Sequence, residues 1–222
     1  MQKLNTSNAA FIAKIDRLST AVLWDKCYDN AVIINEDLIN YTPARKLIGP
    51  AFIVNVENSI LPVIQALDNI SEDEVLVVND LSENGDALLG DIIMSAARNQ
   101  GVSGILVFGK VRDVDSAETI GIPVLAMGTT VQAAKLGDPV EQFPDEIVRN
   151  RQTIQQGDWL VADSDDLICI KKDKIRLVIK AAEIKNKQEN HYIARLNDGG
   201  RIADMMNLKA YLNGTGELVI DF

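Results

Sequence analysis

The sequence is poor in the side chains that most often bind zinc or form nucleophilic triads. Its 222 residues include one histidine, His191, and two cysteines, Cys27 and Cys169. A single histidine without a paired-cysteine motif argues against zinc-dependent hydrolysis and against a Ser-His-Asp triad. The two cysteines are far apart and have mostly apolar neighbours, which favours buried free thiols over a disulfide or a metal site.

Long apolar segments and targeting signals are absent as well. No apolar run approaches the roughly 20 residues that a helix needs to span a bilayer. Neither end of the sequence has the pattern of a secretory signal peptide. We therefore expect a cytoplasmic protein without membrane contact.

Basic residues are outnumbered by acidic ones. The chain has 22 Lys and Arg residues against 32 Asp and Glu residues, which gives a formal net charge of −10. No cluster of basic and aromatic residues stands out, so the field of the whole surface opposes nucleic acid. An anionic substrate would therefore have to be captured by a few local groups.

The composition is compatible with one sizeable core and an appended tail. Hydrophobic residues make up 47% of the chain, and no segment rich in Pro, Ser and Gly divides it into separate units. One domain is the simplest interpretation.

Short apolar runs alternate with helical patterns through the centre of the chain. Runs at 75–78, 105–108 and 123–126 have the composition of buried strands, and segments 90–100 and 114–120 separate them as helices. This order predicts parallel strands with right-handed crossovers. The loops that follow the first two strands are then expected at one edge of the sheet.

The first of these loops ends in Gly90-Asp91. Gly90 is unfavourable inside a helix and is expected to open one, whereas the acidic Asp91 suits a first turn. The first turn of such a helix offers free N–H groups to an anion. Those groups belong to Gly90, Asp91, Ile92 and Ile93.

The second loop contains Arg112-Asp113. A guanidinium such as that of Arg112 can bind a carboxylate through two hydrogen bonds. Asp113 offers a hard oxygen ligand to a divalent cation, with Asp91 near enough to hold the waters of that cation. Each pair alone is also typical of helix capping or of solvated charge, and it is their placement after successive strands that favours a site.

Other segments predict scaffold. Ser19-Thr20 can cap a helix, 47–56 is typical of a strand and 60–67 of a helix. The acidic run 163–166 lies between two apolar runs and lacks the spacing of a calcium loop. We interpret it as a hairpin turn.

Several blocks of the chain are similar to the RraA-like family, which includes the 4-hydroxy-4-methyl-2-oxoglutarate and 4-carboxy-4-hydroxy-2-oxoadipate aldolases. The similarity runs from about Leu18 to Ala182, and its specific part is the spaced pattern of Asp91 and Arg112-Asp113. The blocks that carry the resemblance are 47–52, 87–91, 107–115, 121–124, 128–130 and 157–166.

The resemblance implies an α/β fold and an assembly. The family fold is a three-layer β/β/α sandwich of the swivelling-domain type, which would occupy residues 1–172 of this chain. Residues 173–222 would form a C-terminal helical extension that packs on a neighbouring subunit. The implied assembly is a homotrimer, or a homohexamer built as a dimer of trimers, with sites at the subunit boundaries.

The resemblance also implies a metal-dependent reaction. The implied activity is that of a class II aldolase or a decarboxylase, which forms a pyruvate enolate from a small 2-oxo acid with Mg²⁺ or Mn²⁺ as cofactor. The aspartate that matches Asp113 binds the metal, and the one that matches Asp91 orients water on it. The arginine that matches Arg112 holds the substrate carboxylate together with the backbone of 90–93.

Two lysines and three departures from the family pattern lie in or near the predicted site and concern substrate binding. A cation that chelates a 2-oxo acid stabilises the developing enolate charge, so no Schiff-base lysine is needed. We interpret Lys110 and Lys135 as surface or carboxylate-steering residues. Many relatives carry aspartate in place of Phe108, a small residue in place of Lys110 and proline in place of Gln156. Because Phe108 and Lys110 flank the second loop, we expect that the substrate of this chain can differ from that of those relatives.

The tail predicts two helices. Residues 174–196 have a helical pattern, the pair 199–200 is a glycine break, and 202–212 has the pattern of a second helix. Long aldolases of the family offer an acidic residue from this tail to the metal waters of an adjacent subunit. Glu189 is the best match and Glu183 the alternative, although glutamates on such a helix are usually a solvated face.

Two functions of different classes follow. The first is a divalent-metal-dependent lyase that releases pyruvate from 4-hydroxy-4-methyl-2-oxoglutarate, a similar acid or oxaloacetate. The second is a non-catalytic, protein-binding regulator resembling the inhibitor of ribonuclease E, which shares the fold. The retained residue set and the long tail favour the lyase.

Overall fold

The computed structural model describes residues 8–57, 59–82 and 85–219, so residues 83 and 84 of the loop before Gly90 lie outside the described part. Two short 3-10 helices span Tyr28–Asn30 and Val114–Ser116. The strands are β1 (Ala31–Ile33), β2 (Ile39–Asn40), β3 (Leu47–Val56), β4 (Val75–Asp80), β5 (Gly104–Val111), β6 (Val124–Thr129), β7 (Glu146–Arg149), β8 (Gln152–Gln155), β9 (Trp159–Ala162) and β10 (Leu167–Ile170). The helices are α1 (Asn8–Ile15), α2 (Thr20–Cys27), α3 (Leu61–Asn69), α4 (Asp91–Asn99), α5 (Ala117–Ile120), α6 (Ile175–Asn197), α7 (Ile202–Met205) and α8 (Leu208–Leu212).

Eight of the strands form one sheet in the order β1-β10-β9-β3-β4-β5-β6-β2. The four central strands β3 to β6 are parallel. The alternation of apolar runs and helices predicted this for β4 to β6, and β3 adds a fourth parallel strand. β9 pairs with the first half of β3 in the antiparallel direction, whereas β4 pairs with its second half. The ten-residue β3 therefore belongs to both halves of the sheet, and the two halves fold over each other.

Three apolar clusters define the layers of the fold. One lies between the parallel strands and helices α3, α4 and α5. A second lies between the two halves of the sheet and includes Ile147 and Ile154 of the separate β7–β8 ribbon. The third lies between β1, β9 and β10 and helices α1, α2 and α6. The predicted α/β class is confirmed, and helices from both ends of the chain add a layer on the outer face of the second sheet half.

The hairpin predicted at 163–166 is present, because β9 and β10 pair antiparallel on either side of it. Its first residue also caps helix α2. The Thr20 N–H donates to Asp163 Oδ2 at 2.9 Å and the Thr20 hydroxyl donates to Asp163 Oδ1 at 2.6 Å. Burial raises the pKa of this carboxyl, but these hydrogen bonds and that of the Asp165 N–H outweigh burial and hold the pKa below its usual value.

The tail departs from the prediction in its last part. The long helix is confirmed as α6, but the single helix expected over 202–212 is divided into α7 and α8. Asn207 lies between them in the left-handed conformation, with φ of 57°. Asparagine tolerates this conformation better than most residues, and the Asn207 side chain donates to the Glu217 carbonyl at 3.1 Å. The chain thus folds back on itself instead of continuing as a helix.

Both cysteines are buried free thiols, as expected. Burial raises the pKa of Cys27 to about 12 and also raises the pKa of Cys169. Neither thiol is therefore a reactive thiolate at neutral pH. Within the described ranges, none of the helices combines the length and the apolar character that crossing a bilayer requires.

We expect the Asp163→Asn variant to lose about 1–2 kcal/mol of unfolding free energy at neutral pH, because an amide cannot accept both Thr20 hydrogen bonds. Since the native pKa of Asp163 is lowered, its contribution is present above the unfolded pKa and fades as pH falls through the native pKa. Urea unfolding of wild type and variant at several pH values measures this. The two stabilities should converge in acid.

The matched control is Asp165→Asn in the same turn, whose backbone N–H, but not its carboxylate, takes part in the network. It should change stability by less than about 0.5 kcal/mol. Equal losses in both variants would contradict the capping role of Asp163.

Candidate functional site

The structure brings the two loops singled out in the sequence into direct contact. Gly90 packs so closely on the second loop that a Cβ atom at Gly90 would lie 2.5 Å from Asp113 Oδ2 and 3.2 Å from Arg112 Nε. A larger residue at this position would have to displace the Asp113 or the Arg112 side chain. A helix start, a guanidinium and a carboxylate therefore share one small region of the surface.

Backbone hydrogen bonds hold this contact. The Leu88 N–H donates to the Lys110 carbonyl at 2.9 Å, and the Arg112 N–H donates to the Leu89 carbonyl at 3.0 Å. The segment before α4 thus runs beside the end of β5 as a short additional strand. On its other side, the Ala134 N–H donates to the Ala87 carbonyl at 3.0 Å. Three chain segments are fixed side by side at the carboxyl edge of the parallel sheet.

Asp113 adopts the left-handed backbone conformation, with φ of 56°. Its Oδ2 atom lies 3.3 Å from Arg112 Nε, and the two side chains are 43% and 42% exposed. The Ser116 N–H donates to the Asp113 carbonyl at 3.1 Å and starts the 3-10 helix. The unusual backbone turns the Asp113 carboxylate back towards Gly90, where solvent reaches it.

The first turn of α4 is less open than expected. Gly90 precedes the helix and accepts the Met94 N–H at 3.0 Å. The Ile92 N–H, however, donates to Asp91 Oδ1 at 2.8 Å. The sequence-based expectation of four free N–H groups is therefore wrong for Ile92, because the short Asp91 side chain folds over its own helix start. Asp91 itself is exposed.

A small depression of about 140 Å³ lies beside Arg112. Its walls are mostly apolar, and Asp91 and Arg112 are its charged members. It is lined by Ile60, Ala87, Leu89, Gly90, Asp91, Ile92, Ile93, Arg112 and Ala133. A larger cavity of about 520 Å³ lies between the end of β3 and the loop at 137–140, but it contains none of the predicted site residues.

Some of these lining residues were not predicted from the sequence. Ile60 was placed in scaffold, and Ala133 belongs to a segment without a recognisable motif. Both reach the site through tertiary pairing, since the Ile60 N–H donates to the Lys135 carbonyl at 2.8 Å and Ala133 pairs with Ala87. A contact of this kind cannot be predicted from the local sequence pattern. Lys135 itself is exposed.

The acidic candidates of the tail lie elsewhere in the chain. Helix α6 packs mainly against α2, where Lys185 Nζ contacts Asp25 Oδ2 at 2.8 Å and Glu189 Oε1 at 3.1 Å. The hydrogen bond with Asp25, together with that of Glu189, raises the pKa of Lys185. Glu183 instead faces Lys14 Nζ at 3.5 Å. Within one chain, neither glutamate is brought to the two loops.

The donors available to a metal are few. Among the described residues, no three His, Cys, Asp or Glu side chains come together as a ready metal cage. Mg²⁺ commonly uses one or two protein carboxylates and keeps several waters or substrate oxygens as its other ligands. The Asp113 carboxylate is 43% exposed and fits such a site, whereas one carboxylate would not suffice for a structural metal.

Comparison with known proteins identifies relatives. The RraA-like family, described as Aldolase/RraA, matches residues 19–169. The chain is 26% identical over 168 residues to "Putative 4-hydroxy-4-methyl-2-oxoglutarate aldolase" of Halalkalibacterium halodurans, covering 75% of this chain and 77% of that protein. It is 32% identical over 158 residues to "Putative 4-hydroxy-4-methyl-2-oxoglutarate aldolase 3" of Arabidopsis thaliana, covering 67% and 94%.

A solved structure has the same fold. It is the crystal structure of Streptomyces coelicolor RraAS2, described as an unusual member of the RNase ES inhibitor RraA protein family. The TM-score is 0.70 at 21% identity, covering 83% of this chain and 97% of that one. At this identity the likeness shows the fold alone.

The close approach at Gly90 gives a direct test of the site geometry. We expect Gly90→Ala to displace the Asp113 carboxylate or the Arg112 stem, because the new methyl group would overlap them. Since both side chains are partly exposed, the loss of stability should stay below about 1 kcal/mol. A crystal structure of the variant should show Asp113 moved while the sheet is unchanged. Ser95→Ala, one turn further along α4, is the control. An Asp113 side chain in its original place would contradict the packing described above.

Proposed function

The chain belongs to the RraA-like family, and from that premise we propose that it is a divalent-metal-dependent carbon–carbon lyase that releases pyruvate from a small 2-oxo acid. The substrate is 4-hydroxy-4-methyl-2-oxoglutarate or a similar acid, or oxaloacetate in a decarboxylase reaction. One observation carries the proposal: Gly90, Arg112 and Asp113 are in contact. The names of the two aldolase relatives support the same reaction class.

Arg112 is the group that we assign to the substrate carboxylate. Its guanidinium borders the small depression and is partly exposed. In a protein with a net charge of −10, such a local cation is needed to hold an anion. Beside this guanidinium lies the start of α4, where the backbone of Gly90, Asp91 and Ile93 forms the positive end of the helix dipole. That end also attracts an anion.

Asp113 is the residue that we assign to Mg²⁺ or Mn²⁺. When bound there, the cation supplies Lewis-acid stabilisation of the negative charge that develops on the 2-oxo group. Arg112 Nε, at 3.3 Å from Asp113 Oδ2, holds that carboxylate in place before the metal and the substrate arrive.

The remaining steps need proton carriers. In aldol cleavage the bond between C3 and C4 breaks, and its electron pair passes to the pyruvate fragment as an enolate while the C4 hydroxyl loses its proton. Protonation of the enolate at C3 then completes the release of pyruvate. Asp91 is exposed at the rim of the depression, and we assign it to hold the water that accepts this proton. We assign Glu189 to the same task from an adjacent subunit, in a homotrimer or homohexamer.

The alternative function is that of a non-catalytic regulator that binds a ribonuclease. The Streptomyces coelicolor protein shows that the fold is shared with a family of RNase ES inhibitors. Its 21% identity supports the fold and not the activity. The contact between the two charged loops favours the lyase, since a protein-binding role does not require an exposed carboxylate under a glycine.

The lyase proposal is tested by pyruvate release from 4-hydroxy-4-methyl-2-oxoglutarate and from oxaloacetate, with Mg²⁺ or Mn²⁺ and with chelator. The Asp113→Asn variant should lose activity by about 100-fold or more, since a neutral amide is a poor ligand for a hard cation. Asparagine tolerates the left-handed backbone, so thermal stability should change little. Absence of metal-dependent turnover in the wild type, combined with tight ribonuclease binding, would favour the regulator.

The role of Arg112 is tested by Arg112→Lys. We expect KM to rise about tenfold with a smaller change in kcat, because lysine keeps the charge but loses the two-pronged hydrogen bonding. Arg98→Lys, at an exposed position near the end of α4, is the matched control and should leave both constants unchanged. An unchanged KM in Arg112→Lys would remove Arg112 from the carboxylate site.

A further inference from the structure

The depression beside Arg112 is formed by backbone segments that lie side by side. The end of β5 pairs with 87–89, and that segment pairs on its other side with Ala133 in the loop after β6. The start of α3 is the last segment, because the Ile60 N–H donates to the Lys135 carbonyl at 2.8 Å. Arg112 therefore belongs to the first segment and Ile60 to the last, and both line the depression.

Ser59 anchors this last segment to the loop. Its hydroxyl donates to the Leu136 carbonyl at 2.6 Å and lies 3.0 Å from the Asp138 carbonyl. The same oxygen accepts the Leu61 N–H at 3.2 Å. Ser59 is only 3% exposed, so water cannot readily replace these partners. One buried hydroxyl thus joins the start of α3 to the loop on both sides of Gly137.

Gly137 packs directly on Ser59. Its backbone lies in the left-handed region, with φ of 58°, and a Cβ atom there would lie 2.5 Å from Ser59 Cβ and 3.0 Å from Ser59 Cα. These two atoms are not the mobile end of a long side chain. A larger residue at 137 would therefore push the loop away from the start of α3.

A second anchor holds the same loop further from the depression. Gln65 Nε2 donates to the Val140 carbonyl at 3.3 Å, and the Val140 N–H donates to Gln65 Oε1 at 2.8 Å. Val140 lines the larger cavity at the end of β3 and not the depression. Of the two anchors, Ser59 is the one next to Ile60 and nearer in the chain to Ala133.

We propose that Ser59 is a positioning residue that fixes the wall made by Ile60 and Ala133 and thereby limits the bulk of the acid that enters the depression. The inference rests on the proposed function, in which Arg112 holds the substrate carboxylate. The depression has a volume of about 140 Å³ and mostly apolar walls, which leaves little space for branches on the carbon chain. A bulkier acid must move the wall, and a well-anchored wall makes that movement costly.

Binding of two matched acids tests the role of Ser59. The probes are pyruvate and 3-methyl-2-oxobutanoate, which share the carboxylate and the 2-oxo group and differ by two methyl groups on C3. Titration calorimetry with Mg²⁺ present measures both dissociation constants for the wild type, Ser59→Ala, Gly137→Ala and Gln65→Ala. Gln65→Ala is the matched control, because it removes the other anchor of the same loop.

The wild type is expected to bind pyruvate about tenfold more tightly than the branched acid. Ser59→Ala should reduce this preference to about threefold or less, while its affinity for pyruvate changes by less than about twofold, since the small acid does not press on the wall. Gly137→Ala separates the same contact from the loop side and should show the same loss of preference. Gln65→Ala should lower the melting temperature by about 2–4 °C, as Ser59→Ala does, but retain the preference.

Several outcomes separate this inference from the lyase proposal. Wild-type pyruvate release together with an undiminished preference in Ser59→Ala would overturn the role of Ser59 and leave the lyase standing. A preference that is lost in Ser59→Ala, in a protein that releases no pyruvate from any tested acid, would support Ser59 and reject the lyase.

Three further results would also overturn the role of Ser59. One is an equal loss of preference in Gln65→Ala, because general loosening of the loop would then explain the effect. Another is a wild type that binds both acids equally or binds neither. The third is an undiminished preference in folded Gly137→Ala, since the wall would then not depend on the contact between the loop and Ser59.

Discussion

The site depends on the pairing of a three-residue segment, 87–89, with the end of β5. Two backbone hydrogen bonds, from Leu88 to Lys110 and from Arg112 to Leu89, set the position of helix α4 relative to the second loop. Without them, the start of α4 and the Arg112-Asp113 pair would be ordinary loop features at a sheet edge. The absence of a side chain at Gly90 then lets the two loops touch. Neither condition alone brings the charged groups together.

Much of the parallel core could be predicted from the sequence because each of its strands is a short aliphatic run bounded by polar residues. The bounds of β3, Leu47–Val56, agree with the predicted 47–56, and α4 begins within one residue of the prediction. The contact between the two loops followed from the same pattern, since parallel strands place their carboxyl ends at one edge. Local composition is sufficient to predict a strand or a helix wherever burial alone decides which of them forms.

The rest depends on contacts between distant segments, which leave no local pattern. The break at Asn207 is one example, because its left-handed backbone is accompanied by a hydrogen bond to a carbonyl ten residues away. The engagement of the Ile92 N–H by Asp91 is another, since a side-chain rotamer decides it. Ile60 and Ala133 reach the site only through pairing of remote backbone segments.

The left-handed backbone of Asp113 has a consequence for how this fold diverges over evolutionary time. Among the residues that a single base change can introduce in place of aspartate, glycine and asparagine suit that backbone, and both lack the charge. Glutamate retains the charge but disfavours the conformation. Genetic drift at this position therefore preserves the architecture more easily than the chemistry, and descendants that have lost the carboxylate remain well folded and available for other roles.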